Sequence, residues 1–91
     1  MIIEKIGKAA MLEQTAEECV ELAQACLKYA RALRNENPTP KPLDEIICNV
    51  EEEAADVSVC LSELSWGLID NKNVQKWINV KENRIKERLW G

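Results

Sequence analysis

Histidine and phenylalanine are both absent from this 91-residue chain. Without histidine there is no His-based nucleophilic triad, no imidazole metal ligand and no Glu-x-x-His pair of the kind that builds di-iron sites in helical bundles. Acid–base chemistry is left to carboxylates, Lys, Tyr, Cys or water. Aromatics are confined to Tyr29, Trp66, Trp77 and Trp90. There is no apolar run of the roughly 18 residues that a membrane span needs, and Glu4, Lys5 and Lys8 interrupt the apolar N-terminus, which therefore does not read as a signal peptide. The expectation is a cytoplasmic protein with no membrane partner. No CxxC pair occurs, so a structural zinc site is poorly supported, and Cys19, Cys26, Cys48 and Cys60 are expected to be small buried apolar residues. Excess positive charge is lacking too: the net charge of −4 argues against a nucleic-acid polymer as partner.

What is present fits one small domain, residues 1–91, with a thin core that a second subunit or a bound ion would help. One segment reads as a linker, "NENPTPKP", where Pro38, Pro40 and Pro42 cannot continue a helix. The periodicity predicts helices over 2–35, bent near Gly7, over 43–66 and over 74–89. Pro42, Asp44 and Glu45 suit the start of the second helix. "GLIDNKN" reads as a turn, with Gly67 near the C-cap and Asn71 or Asn73 as the next N-cap. The expected fold is therefore all-α: an antiparallel bundle of three main helices, with room for a short extra helix at the N-terminus.

Helical phase, at about 100° per residue, makes the acidic stretches "EECVE" (17–21) and "EEEAAD" (51–56) more specific. On the first long helix, Ala16, Val20, Ala23, Leu27 and Ala30 form the expected inward stripe, widened by Cys19, Leu22, Cys26 and Leu33. Gln14, Glu18, Glu21 and Ala25 share the other side. On the second, the stripe is Ile46, Val50, Ala54, Val57, Leu61 and Leu64, with Glu53 at its edge and Asp56 next outward. On the third, Val74, Ile78, Ile85 and Leu89 are interrupted by Lys81 and flanked by Arg84 and Arg88. A carboxylate at the margin of a core is costly unless compensated.

Glu18 and Glu21 are three apart, as are Glu53 and Asp56, and such pairs are neighbours on a helix surface. Two pairs on facing helices would gather four carboxylates. Oxygen donors without nitrogen or sulfur describe a hard-cation site, best suited to Mg²⁺, with Mn²⁺ as the alternative. Ions held this way commonly carry phosphates, which gives Lys81, Arg84 and Arg88 a role as phosphate clamps. A spare carboxylate, or water held by the ion, would activate the attacking water.

The pattern EExxE, then a loop, then EExxD, here "EECVE" at 17–21 and "EEAAD" at 52–56, resembles the all-α nucleoside triphosphate pyrophosphohydrolases of the MazG-like superfamily. The basic segment "KENRIKERL" at 81–89 is similar to one that follows in small members. The resemblance spans roughly 12–89. It implies that Glu18, Glu21, Glu53 and Asp56 bind metal. It also implies that Glu17 and Glu52, and Glu18 itself, take part in catalysis, and that Lys81, Asn83, Arg84 and Arg88 contact phosphate or sugar. The implied reaction is hydrolysis between the α- and β-phosphates to a nucleoside monophosphate and pyrophosphate. The implied assembly is a homodimer or homotetramer whose four-helix bundles are completed across subunits.

Other readings stand beside this one. The acids can be a solvated face, although no cation lies between Lys41 and Lys72 to support them. Lys81 can snorkel out of an apolar stripe, and Trp66 and Trp77 can be core or interface residues rather than base-stacking ones. The alternative functions are a non-catalytic helical oligomerisation or regulatory module with a residual metal site, and phosphoribosyl-ATP pyrophosphohydrolysis.

Overall fold

A computed structural model describes residues 1–36 and 41–91; Pro38 and Pro40 of the expected linker lie outside the described residues. The described chain is 84% helix with no strand. Four helices follow in order: α1 (Ile2–Ile6), α2 (Lys8–Leu33), α3 (Leu43–Leu64) and α4 (Asn71–Trp90).

The expected bend at Gly7 is a full break. Gly7 sits at φ 93°, ψ 163°, backbone that is essentially open to glycine alone. It lets α1 turn back on the hairpin, where the Ile3 amide donates to Glu63 Oε1 at 2.8 Å and satisfies one orphan donor of the first turn. At the far end of α2, Asn35 takes the left-handed conformation (φ 56°). Its amide reaches the Ala32 carbonyl and that of Glu36 reaches Arg31, a Schellman motif with Asn in the place glycine usually holds. Pro42 is the N-cap of α3 rather than a first-turn residue, and Asp44 and Glu45 follow it against the helix dipole.

α2 and α3 run antiparallel. Met11 near the start of α2 packs with Cys60 and Leu64 at the end of α3, while Arg31 and Asn35 line a cleft with Leu43 and Ile46 at the opposite end. The seam has a strict heptad spacing. From α2 it takes Met11, Thr15, Glu18, Leu22, Ala25, Tyr29 and Ala32. From α3 it takes Ile46, Val50, Glu53, Val57, Cys60 and Leu64. All of these are buried or half-buried. Met11, only 1% exposed, anchors the apolar end with Ile3, Cys60 and Leu64.

The structure departs from several sequence-based expectations. The stripe Ala16, Val20, Ala23, Leu27 is not the inward face of α2 within the chain, since Val20 and Leu27 are 57% and 59% exposed. The inward row is the neighbouring heptad, which carries Glu18. Secondly, the third main helix joins no bundle. α4 packs against none of α1, α2 or α3, and every residue of it is exposed. The radius of gyration is 16.5 Å, against about 12 Å for a compact chain of this length. Of the cysteines, Cys60 alone is buried; all four are free thiols.

The connector after α3 sets the direction of α4. The Leu68 and Ile69 amides both donate to the Leu64 carbonyl, Gly67 takes φ 103°, and Leu68 and Ile69 pack on the apolar cluster of the hairpin. Asp70, not Asn71 or Asn73, is the N-cap, its Oδ1 accepting from the Lys72 amide at 2.8 Å. Asp and Asn cap equally well, so the choice fell to where the packed connector ends.

Candidate metal centre

Midway along the seam the apolar layers give way to carboxylates. Glu18 and Glu53 occupy heptad positions that coiled-coil packing reserves for apolar side chains. Glu21 and Asp56, each three residues further on, stand on the same rim of the hairpin and are exposed. The fold brings the four together, with one oxygen of each within 4.8 Å of the others.

The electrostatics are unresolved within the chain. Oε2 of Glu18 and Oε2 of Glu53 are buried without a hydrogen-bond partner among the described residues, a costly state for an acceptor that carries charge. Only Glu18 Oε1 is served, by Gln14 Nε2 at 2.8 Å. Burial is the largest influence pushing the Glu18 carboxyl above its ordinary range, followed by the charge and close approach of the Glu21 carboxylate and then by the charge of Asp56. All but the Gln14 contact favour the neutral form, as expected where carboxylates share a site with no cation.

The donor set fits a hard divalent cation. The buried carboxylate oxygens suit a positive ligand, and all the donors are oxygen. Mg²⁺ bonds of 2.0–2.1 Å allow ligand oxygens of one ion to be at most about 4.2 Å apart. Glu21 and Asp56, being exposed, are free to adjust their rotamers toward such an ion.

The other expected site residues lie elsewhere. Glu17 and Glu52 are exposed neighbours of the cluster on α2 and α3, and Glu52 Oε1 lies 3.9 Å from the Cys48 thiol, which donates to it. Lys81, Asn83, Arg84 and Arg88 are on α4 and are not brought to the four acids within the chain. Sequence reasoning placed Gln14 on the polar side of α2 without giving it a role; its i, i+4 spacing to Glu18 was the available signal.

Compared with known proteins, the chain matches no family model, no curated protein and no solved structure.

Proposed function

We propose that the chain is a divalent-cation-dependent nucleoside triphosphate pyrophosphohydrolase of the MazG-like type, hydrolysing its substrate between the α- and β-phosphates. The observation that carries this reading is the convergence of Glu18, Glu21, Glu53 and Asp56 from two helices, with two buried carboxylate oxygens lacking any partner. A solvated acidic face would not place Glu18 and Glu53 in the seam of a heptad.

On this reading the four carboxylates hold Mg²⁺, or Mn²⁺ in its place. The ion, when bound, neutralises phosphate charge and polarises the phosphoryl group. Gln14 fixes the orientation of Glu18 through its 2.8 Å hydrogen bond. Glu17 and Glu52, solvent-facing beside the ligands, are placed to take a proton from the attacking water, because an exposed carboxylate not committed to the ion keeps a free lone pair. Lys81, Asn83, Arg84 and Arg88 contact phosphate or sugar once α4 is over the site. The working unit is a homodimer or homotetramer acting on cytoplasmic nucleotide pools.

Pyrophosphate release across a panel of NTPs, dNTPs and modified nucleotides tests this. Release with Mg²⁺ or Mn²⁺, abolished by EDTA and by Glu53→Gln, is expected; an inactive panel overturns the enzyme. The exposed apolar rows of α2 and α4 favour a second reading, a helical oligomerisation module that retains the cation as a clip. Nucleotide binding without hydrolysis in calorimetry would select it.

A further inference from the structure

We infer that α4 works in trans: α4 of a second copy lies along the outward row of α2 and brings Lys81, Arg84 and Arg88 to the rim of the carboxylate cluster. The inference rests on the reading above only in taking that cluster as the destination.

Charge is partitioned along the chain. α4 holds six of the twelve Lys and Arg but only two of the sixteen Asp and Glu. The rest of the chain is correspondingly acidic, and opposite fields of this kind steer association. Apolar surface is partitioned in the same way. Val74, Ile78, Ile85 and Leu89 on α4 are all exposed, as are Val20 and Leu27 on α2. A helix in a protein draws most of its stability from packing its apolar face, and the α4 stripe is packed on none of the other helices.

The chain exposes 7176 Å², whereas a compact monomer of 10.4 kDa exposes roughly 5,400 Å². The excess, roughly 1,800 Å² per chain, would give a dimer interface in the range of obligate homodimers. Cis closure is opposed by the connector, whose Leu68 and Ile69 are packed on the hairpin core and whose amides are tied to Leu64. It directs α4 away from its own α2 and α3.

Helical phase supplies the register. Around α2, the row Val20 and Leu27 is followed by Glu17 and then Glu21. On α4, Lys81, Arg88 and Arg84 follow one another down one flank of the apolar stripe. With α4 of the partner copy running parallel to α2, the two apolar rows meet and the cationic flank falls on the Glu17 and Glu21 side.

Zero-length carbodiimide coupling tests this on the full-length protein, after ¹⁴N and ¹⁵N chains are unfolded and refolded together in equal amounts. Lys81 should couple to Glu17 or Glu21, with about half of those cross-links joining a light chain to a heavy one, as random pairing requires. Isotopically pure cross-links alone would establish closure in cis and overturn the inference, as would the absence of any α4-to-α2 cross-link. The triple variant Lys81→Glu, Arg84→Glu, Arg88→Glu should weaken the dimer at least tenfold in sedimentation; an unchanged dimer also overturns it. Coupling reads proximity and not turnover. Its failure leaves the metal-site reading standing, and an inactive nucleotide panel leaves the exchange of α4 standing.

Discussion

The α2·α3 hairpin and the single helix α4 treat misplaced charge in opposite ways. In the hairpin, Glu18 and Glu53 are held inside a seam that closes around them, because apolar layers on both sides of the acids maintain the packing. In α4, Lys81 interrupts an apolar stripe that packs on none of the other three helices. The first arrangement stores unfavourable electrostatics at a fixed place; the second leaves cations on an exposed surface. A charge in an apolar row thus has two meanings. Where the row is buried the charge must be compensated in place, and where the row is exposed the charge stays solvated.

The comparison breaks most visibly at the acids. Glu53→Gln should lower pyrophosphate release by about 100-fold or more, since even the loss of groups that merely support metal ligands costs 10–100-fold. The same change should raise the melting temperature of the cation-free protein, because it removes a buried charge without a partner. A fall in both would mean that Glu53 is structural.

Packing separates the two regions next. Met11→Ala should destabilise the fold by about 2–5 kcal/mol in chemical denaturation. Leu89→Ala, measured where the chain is monomeric, should stay within about 0.5 kcal/mol. Similar values would show that α4 is packed in the single chain. Mg²⁺ at 100 times its dissociation constant should stabilise the hairpin by about 2.7 kcal/mol, with no such gain in Glu53→Gln. Gly7→Ala should cost about 1–3 kcal/mol through its backbone alone, as an added Cβ there meets nothing within 4 Å.

The smallest effect is the response to pH. The native Glu18 carboxyl is raised above its unfolded value, so the native state binds the proton more tightly. In the cation-free protein this contribution is present at low pH and is lost as pH rises through the raised native value. Thermal melts should therefore show a slightly more stable protein at the acidic end of that window, and saturating Mg²⁺, which binds the ionised carboxylates, should reverse the slope.

Much of this was legible in the sequence. The helices, the break near Gly7 and the four acids at paired i, i+3 spacing all follow from local pattern. The inward face of α2 did not. Its two adjacent heptad rows compete, and hydrophobicity alone selects Ala16, Val20, Ala23 and Leu27 over the row that carries Thr15 and Glu18. The conflict was visible in principle, because Glu18 cannot meet Glu53 unless its own row faces α3. The N-cap of α4 was missed by one residue, because Asp70, Asn71 and Asn73 are chemically equivalent caps.

Local spacing by itself determined that this chain is helical and that its acids come in pairs, because turns, caps and neighbours three residues apart depend only on the chain nearby. Tertiary structure alone decided that the pairs face one another across a seam while the basic helix stands clear. Those outcomes depend on which of two similar rows buries more against α3, and on how a six-residue connector, 65–70, packs on the hairpin core.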